Sequence, residues 1–431
     1  MIISRYSILY YSENSYKLFN TRTNFCAIIS KELYNTLSLL KECDFNLESL
    51  NIPHNTLMHL IKGKVIVNPH EDEDYYNLKK YLRYNQAFSR ASLGLIIVPT
   101  LACNFKCPYC YETNLTSKNM SVSTMDQILR FVKNTGCKTV NLCWHGGEPI
   151  LAFEQIHYLL NKLYDIQDLK MKTHSMVTNG FLLDPDKCKI LSQYNIGHIQ
   201  ITIDGNRDFH NRSRRHKLGI PTFDIILENI ENVFTYIPSC HVTVRVNLRE
   251  ENKYQFPSLY KNLRQRWKGQ NYSVDLAFVN DVNSSCNVAC LPNRGKVSLL
   301  KELSKKFGID DIQTTIAPQV GGCTATCVNS VIIGPEGEIY KCWVDVGKPQ
   351  KVVDSIFENK VRNYILPSYI VGADMFSDRK CHDCAFLPIC DGGCVVRRYN
   401  KLHDGADYDP CPLSEEDFYT LLDMYIKQKC K

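Results

Sequence analysis

The chain has 431 residues, of which 44% are hydrophobic and 22% are charged, values typical of a globular protein with two or three domains. Its net charge of +6 is small and dispersed, which argues against nucleic-acid binding, and no apolar run approaches the roughly 20 residues needed to cross a membrane. The N-terminus lacks the pattern of a signal peptide, so we expect a cytoplasmic protein, in whose reducing surroundings the 20 cysteines indicate metal or redox chemistry rather than disulfides.

Residues 1–90 form the first predicted region, a small α+β unit. The pattern predicts four short strands, at Tyr6–Tyr11, Tyr16–Asn20, Phe25–Ile29 and Lys64–Val67. It predicts three helices, over Ser30–Glu42, near Leu57–Ile61 and from Asp72 onward. This arrangement resembles the winged-helix fold that recognises leader peptides in many peptide-modifying enzymes. The alternative is a structural cap.

Residues 91–310 form the second predicted region, in which strand and helix patterns alternate. The candidate strands are Leu93–Pro99, Thr139–Trp144, Thr173–Val177, His198–Ile203, Val242–Leu248 and Val274–Val279. The helical patterns between them are Ser123–Thr135, Phe153–Tyr164, Asp184–Tyr194, Phe223–Val233 and Lys253–Arg266. Six such β/α units predict an α/β fold with a parallel sheet, whose functional site lies at the C-terminal ends of the strands.

Three cysteines follow the first of these strands, in the run Leu101-Ala-Cys-Asn-Phe-Lys-Cys-Pro-Tyr-Cys-Tyr-Glu112. Cys103, Cys107 and Cys110 have the spacing C-x3-C-x2-C, and the run has no fourth cysteine. A 4Fe–4S cluster usually takes four thiolates, so three would leave one iron open to a small molecule. A C-x2-C pair can also be half of a zinc site, although no second half lies near residue 110. The run closely resembles the signature of the radical S-adenosylmethionine (SAM) enzymes, in which the open iron binds and cleaves SAM and an aromatic residue commonly stands at the position of Tyr109.

Motifs at the ends of the later strands resemble the SAM-binding segments of the same family. The glycine-rich turn after the second strand would hold the amino-acid end of SAM, with Glu148 accepting from its ammonium group. The segment after the fourth strand would place Thr202 and Arg214 near the SAM ribose or carboxylate, the alternative being a loop of exposed charge. The resemblance implies cofactor contacts from Gly146, Gly147, Glu148, Pro149, Thr178, Asn179, Thr202, Arg214 and Asn247, together with Tyr109.

Residues 311–431 form a third, cysteine-dense region with little long periodicity. Its pattern is Cys327-x9-Gly337-x4-Cys342, then Cys381-x2-Cys384-x5-Cys390-x3-Cys394 and Cys411, with Cys323 upstream. This matches the seven-cysteine pattern of the SPASM domain. The resemblance implies two auxiliary 4Fe–4S clusters, one on Cys323, Cys327, Cys342 and Cys394 and one on Cys381, Cys384, Cys390 and Cys411. Zinc sites with four cysteines use the same ligands and are the alternative.

The resemblance implies a radical SAM enzyme that acts on a peptide or protein. Its α/β core would be a partial (β/α)6 barrel over residues 91–310, and it would hold three 4Fe–4S clusters. An electron from a donor such as flavodoxin or ferredoxin would drive SAM cleavage, and the 5′-deoxyadenosyl radical would abstract a substrate hydrogen. The auxiliary clusters would take the leftover electron or touch the substrate.

Two reactions of SPASM enzymes compete for the substrate assignment. One forms a thioether or carbon–carbon crosslink in a ribosomally made peptide, and the other makes formylglycine in a sulfatase. The anaerobic sulfatase-maturating enzymes carry an aspartate base where this chain has Trp343, with Asp345 two residues on, and they usually begin close to the cysteine triplet. We therefore expect a peptide maturase. A non-catalytic peptide-binding scaffold is the alternative of another class, and the intact triplet argues against it.

Overall fold

Within the described residues, the strands form a sheet of nine strands, a sheet of three and a sheet of two. The structure is a computed structural model, and it describes residues 1–41, 43–112, 116–279, 288, 293–309, 322–357, 363–390, 392–406, 409, 411 and 413–429. The predicted boundary between the second and third regions, at residue 310, lies outside these residues. None of the helices found in the described ranges is long and apolar enough to cross a membrane.

The N-terminal residues form a small α+β unit. Its strands are β1 (Ile2–Ile3), β2 (Ser7–Ser12), β3 (Ser15–Asn20), β4 (Phe25–Ile29) and β5 (Ile66–Val67). Its helices are α1 (Lys31–Leu40), α2 (His54–Lys62) and α3 (Glu71–Ala87). β3 lies between β2 and β4 in an antiparallel sheet, and β1 pairs with β5. The strands and helices predicted for this region are present, with ends that differ by a few residues.

Six parallel strands follow in chain order and confirm the predicted parallel sheet. They are β6 (Leu93–Ile97), β7 (Thr139–Trp144), β8 (Lys170–Thr178), β9 (His198–Thr202), β10 (His241–Leu248) and β11 (Tyr272–Phe278). The helices between them are α4 (Val122–Asn134), α5 (Phe153–Tyr164), α6 (Pro185–Ser192), α7 (Arg207–Ser213), α8 (Phe223–Tyr236) and α9 (Phe256–Arg266). Side chains on β10 alternate between half-buried and buried, the pattern of a strand with helices on one face and a lumen on the other.

The large sheet continues into the third region, which the sequence analysis did not predict. β12 (Ser330–Ile333) pairs in parallel with β6, and β13 (Glu338–Tyr340) and β14 (Asp354–Ser355) extend the sheet antiparallel. The strand order is β11-β10-β9-β8-β7-β6-β12-β13-β14. The helices of this part are α10 (Asn293–Phe307), α11 (Ile365–Pro367), α12 (Arg379–His382), α13 (Leu387–Cys390), α14 (Val395–Asp404) and α15 (Glu415–Lys429).

The last helix packs against the N-terminal sheet. Leu422 and Ile426 of α15 form a buried cluster with Phe19 of β3. Beside this cluster the Lys17 ammonium lies 2.7 Å from the Asp423 carboxylate, and each side chain is only 5% exposed. The first and third regions of the chain are therefore packed together, and the N-terminal unit is not a separate appendage.

Candidate active site

A cavity of about 480 Å³ lies at the C-terminal ends of the parallel strands, within the usual size range of ligand sites. Its walls include residues from most of the motifs singled out in the sequence. These are Cys103, Cys107, Tyr109, Cys110, Gly146, Gly147, Thr178, Asn179, Thr202, Arg214 and Asn247. Of the residues predicted to contact SAM, Glu148 and Pro149 do not line this cavity.

The triplet cysteines lie on the loop after β6, in a setting suited to bound metal. Burial, with a smaller contribution from Glu148, raises the pKa of Cys103 to about 12, and burial beside Glu112 does the same for Cys110. The backbone N–H of Phe105 donates to the Cys103 sulfur at 3.4 Å. A buried thiolate needs a compensating positive charge, which bound iron would supply.

The same N–H contact recurs at other motif cysteines. In each case the N–H of the residue two positions later points at the sulfur and favours the thiolate. This holds at Cys103, Cys110, Cys323, Cys342, Cys384 and Cys390. Hydrogen bonds to ligand sulfurs are a feature of iron–sulfur sites, so the donor set fits the implied clusters.

The glycine pair after β7 packs backbone to backbone against the segment that leads into Cys103. Gly146 has φ +127°, and a Cβ built there would lie 2.5 Å from the Thr100 carbonyl oxygen. A Cβ on Gly147 would lie 2.3 Å from the carbonyl oxygen of Ala102. Side chains at these positions would push the cysteine loop away, so the glycines place the loop as well as leaving the cavity open.

The surroundings of Glu148 differ from the sequence expectation that it faces the SAM ammonium. Its carboxylate is fully buried and accepts from the Thr178 hydroxyl at 2.6 Å, the Asn179 N–H at 2.7 Å and the Ile150 N–H at 3.1 Å. Burial raises its pKa, and these hydrogen bonds oppose that rise. Glu148 therefore ties the turn after β7 to the end of β8, and three of its acceptor positions are used by the protein.

A buried network holds Tyr109 between the cysteine loop and the neighbouring strands. Its hydroxyl donates to Asp204 and accepts from Arg214 Nη1 at 2.8 Å. The backbone N–H of Asn247 donates to the other Asp204 oxygen at 3.0 Å. The guanidinium of Arg249 lies 5.4 Å from the centre of the Tyr109 ring. The network fixes Arg214 at the cavity wall, where its Nε is buried and has no hydrogen-bond partner among the described residues.

Three further residues belong to this site and were not predicted as part of it. The His145 ring lies 4.4 Å from the Trp343 ring, and its Nδ1 lies 3.6 Å from a Glu112 oxygen. Burial lowers the pKa of His145 to about 3 and, with Glu148 nearby, raises the pKa of Glu112 to about 7. Glu112 lies two residues after Cys110 and His145 directly before Gly146, so adjacency to the motifs was the available signal. Trp343 is distant in sequence, and only the fold brings it here.

Two groups of neighbouring cysteines can be distinguished in the C-terminal part. In the first group, burial and the charge of Asp345 raise the pKa of Cys342 to about 12, and the nearby Cys394 and Cys323 raise it further. Burial also raises the pKa of Cys323, with a smaller contribution from Cys327. The second group, Cys381, Cys384, Cys390 and Cys411, lines a separate cavity of about 950 Å³. Across the described ranges, no three His, Cys, Asp or Glu side chains are grouped closely enough to hold a single metal ion.

Known proteins share this architecture. Residues 97–263 match the Radical SAM superfamily. The chain is 24% identical over 368 residues to a cysteine-type anaerobic sulfatase-maturating enzyme of Clostridium perfringens, a match that covers 76% of this chain and 95% of that protein.

Solved structures are similar over different lengths of the chain. The structure of anSMEcpe with bound AdoMet has a TM-score of 0.61 at 18% identity and covers 78% of this chain and 94% of that chain. Streptococcus suis SuiB bound to S-adenosylmethionine has a TM-score of 0.54 at 16% identity and covers 96% of this chain and 100% of that chain. SuiB bound to its precursor peptide SuiA has a TM-score of 0.52 at 17% identity, with 96% and 99% coverage.

Proposed function

We propose that this radical SAM enzyme matures a ribosomally made peptide by forming a thioether or carbon–carbon crosslink. One hydrogen atom would be abstracted by the 5′-deoxyadenosyl radical, and the second would leave as a proton and an electron, the electron being taken by an auxiliary cluster. The observation that carries the proposal is the cavity at the strand ends, where the triplet cysteines meet polar residues of the next strands. The coverage of the solved structures supports a peptide substrate. The likeness to SuiB, which binds a precursor peptide, extends over 96% of this chain, whereas the likeness to anSMEcpe extends over 78%.

We propose that Cys103, Cys107 and Cys110 hold a 4Fe–4S cluster that leaves one iron for SAM. Bound there, the cluster and SAM together supply a 5′-deoxyadenosyl radical. The residues of the chain bind and orient the cofactor. The unpartnered Nε of Arg214 is the donor we assign to the SAM carboxylate, because it is buried at the cavity wall and always protonated. Thr202 and Asn247 supply hydroxyl and amide groups to the same wall.

The triplet assignment is tested by replacing all three cysteines with alanine. The variant should lose about four irons and stop forming 5′-deoxyadenosine with SAM and dithionite, because one whole cluster is removed. The matched control replaces the non-motif cysteines Cys137, Cys188 and Cys240, all of them buried, and should keep both properties. Continued 5′-deoxyadenosine formation by the triplet variant would overturn the assignment.

We propose that the eight C-terminal cysteines hold two auxiliary clusters. The native chain should then bind about twelve irons and as many sulfides after anaerobic reconstitution, at four per cluster. The grouping of Cys342 with Cys323 and Cys394, and the shared cavity of the second group, support this count. Iron for a single cluster together with bound zinc would support structural zinc sites instead.

The surroundings of Trp343 and Asp345 support peptide crosslinking over formylglycine formation. Trp343 lines the cavity at the strand ends, which we call the SAM cavity. In the sequence it stands where the sulfatase-maturating enzymes carry their aspartate base. Asp345 is buried and accepts from the Tyr369 hydroxyl at 3.2 Å, and it does not line the cavity. The cavity wall therefore has an indole at the position of that aspartate, and Asp345 does not replace it there.

The substrate class is tested by mass spectrometry after anaerobic turnover. Peptides encoded beside the gene should lose two hydrogens per crosslink, whereas a peptide with the sulfatase cysteine motif should be unchanged. Formylglycine in the sulfatase peptide would favour the alternative, sulfatase maturation, which is the activity in the name of the similar Clostridium perfringens enzyme. Uncoupled SAM cleavage with neither change would leave the radical SAM assignment intact and exclude both substrates tested.

We propose that the N-terminal unit binds the leader of the precursor along β4. Within the described residues, β4 pairs on one side only, with β3, so its other edge can receive an added strand. Ile28 in the middle of β4 is 60% exposed. Removing residues 1–90 would expose Leu422 to solvent and would take away Lys17, the ion-pair partner of Asp423. A point substitution therefore tests the docking role better than truncation does.

Ile28→Asp should weaken precursor binding at least tenfold in fluorescence anisotropy while uncoupled SAM cleavage stays unchanged. The control is Leu39→Asp on α1, in the same unit, where the side chain is 78% exposed. Equal precursor affinity of the Ile28 variant and the native chain would contradict the docking role and leave this unit as a structural cap.

A further inference from the structure

A buried arginine contacts the sulfur of one proposed auxiliary ligand. Arg398 on α14 is 6% exposed, and its Nη2 donates to the Cys381 sulfur at 3.1 Å. Its Nε donates to the Gly392 carbonyl oxygen at 2.9 Å, and its Nη1 donates to Asp378 at 2.5 Å. The planar guanidinium is therefore held on several sides, and the sulfur is one of its acceptors.

The acceptors of Arg398 are themselves fixed. Asp378 is the N-cap of α12, the helix that carries Cys381, and its other oxygen accepts from the Lys380 N–H at 2.9 Å. Gly392 has φ +76°, and a Cβ there would lie 2.3 Å from the side chain of Met375, so its carbonyl is placed by a close approach. The contact between Arg398 Nη2 and the Cys381 sulfur is therefore held in place by neighbouring elements.

A buried cation also lies beside the first auxiliary group, but its N–H bonds point at backbone carbonyl oxygens. Lys341 is 2% exposed, and its ammonium donates to the carbonyl oxygens of Cys327, at 2.5 Å, and of Ser330. Backbone N–H groups approach sulfurs in both groups. The buried Arg83 also acts on Cys323 of the first group, so both groups have cations nearby. At the second group, the contact of Arg398 with the Cys381 sulfur places a cationic donor directly on a proposed ligand.

We propose that Arg398 raises the reduction potential of the cluster held by Cys381, Cys384, Cys390 and Cys411. The inference rests on the proposed function. One-electron reduction adds one negative charge to the cluster and needs no proton from the protein. A cationic donor on a ligand sulfur stabilises that added charge, and hydrogen bonds to sulfur and local charge are known determinants of cluster potential.

A raised potential at the second group would favour holding an electron at a distance from the SAM cavity. Cys342 of the first group is followed directly by Trp343, which lines the SAM cavity. The cavity of the second group shares no lining residue with the SAM cavity, and Cys411 at its wall is exposed. A higher potential at the second group favours the electron at the site that faces the protein surface, where an external acceptor can approach.

The test is an EPR-monitored potentiometric titration of the reconstituted full-length chain, with metal content measured in parallel. Arg398→Met should lower one auxiliary potential so that the reduced-to-oxidised ratio falls about tenfold at a fixed poise, which is about 59 mV for one electron. Arg398→Lys should give a smaller fall, because an ammonium keeps the charge but cannot hold all three acceptors. The matched control is Arg379→Met, an exposed arginine that lines the same cavity and should leave the potential unchanged.

An unchanged potential in Arg398→Met with full iron content would overturn the inference and leave the proposed function intact. If that variant loses iron, Arg398→Lys decides in the same way. If both lose iron, the native chain labelled with ¹⁵N-arginine decides, since the reduced second cluster should then show a nitrogen coupling in pulsed EPR, and its absence overturns the inference. Zinc in place of iron at this group would overturn the cluster assignment itself and with it the role of Arg398.

Discussion

Replacing Glu148 with glutamine should loosen the turn after β7 before any cofactor binds. The carboxylate has two acceptor oxygens, whereas the amide has one oxygen and an NH₂ group that cannot accept. An NH₂ facing Asn179 would meet an N–H, so we expect it to turn toward Thr178, whose hydroxyl can accept instead. The Ile150 N–H, 3.1 Å from the same oxygen, is then left without an acceptor.

The cost of that change follows from one unsatisfied buried N–H, about 1–3 kcal/mol. Since about 1.4 kcal/mol is a factor of ten, local opening of the turn should become roughly 5- to 150-fold more frequent. Hydrogen exchange of the backbone around Ile150, measured in the SAM-free protein, should accelerate by that factor.

Glu154→Gln is the matched control, because Glu154 is exposed in the first turn of α5, four residues after Ile150. It should leave exchange at the turn unchanged. If Glu148 faced SAM, as the sequence motif suggests, Glu148→Gln would instead weaken SAM binding with native exchange in the SAM-free protein. That result would refute the structural role argued for this carboxylate.

Three further predictions concern the cysteine loop, the C-terminal helix and a buried histidine. Gly147→Ala should lose about four irons while other iron is retained, because its Cβ would lie 2.3 Å from the Ala102 carbonyl oxygen; iron analysis measures this. Asp423→Ala should destabilise the chain by about 3 kcal/mol, the lower end of the range for a broken buried pair, seen as a lower Tm, because the buried Lys17 loses its partner at 2.7 Å and keeps Glu13 at 3.8 Å. Burial lowers the pKa of His174 from its ordinary value to about 4, so the unfolded chain binds the extra proton and stability is lost as pH falls from about 6.5 to 4. In urea titrations, the free energy of unfolding of His174→Gln should fall less steeply as the pH is lowered, by up to about 1.4 kcal/mol per pH unit.

Each of these predictions has a control in the same chain. Gly197→Ala should be tolerated, because the nearest atom to its Cβ is 3.9 Å away. Glu416→Ala lies at an exposed position of the same helix as Asp423 and should leave Tm nearly unchanged, and His54→Gln, exposed on α2, should keep the native acid loss. Full iron in Gly147→Ala, a native Tm in Asp423→Ala or an unchanged acid slope in His174→Gln would contradict the respective argument.

Local pattern was sufficient for the elements whose side chains repeat with a clear period. β10 alternates between half-buried and buried residues along its whole length, and α5 has the same bounds in the sequence and the structure. β12 could not be found in this way, because it has only four residues and depends on pairing with the edge of β6, more than 200 residues earlier. Short strands of this kind are specified by the partner edge more than by their own sequence.

The same distinction applies to the candidate site. Spacing alone indicated the triplet cysteines, and strand ends indicated Thr178 and Asn247, because consecutive parallel strands end at one edge of the sheet. The partners of Glu148 could not be predicted from its motif, since its acceptor oxygens are used by residues about 30 positions later. A motif thus fixes where a residue lies, whereas its hydrogen-bond partners depend on contacts across the fold.

The pairing of β12 with β6 has a consequence for how the two proposed cluster regions are linked. β6 leads into the cysteine loop, and its outer edge would carry unpaired backbone groups if β12 did not cover it. The hairpin formed by β12 and β13 ends at Tyr340 and is followed by Cys342 and Trp343. Successive Cα atoms are about 3.8 Å apart, so a proposed auxiliary ligand and a wall of the SAM cavity are separated by one peptide unit. The indole of Trp343 also packs against His145, which directly precedes the glycine pair after β7. The sheet extension therefore does more than close an edge, since it places the first proposed auxiliary group beside the wall of the cavity at the strand ends.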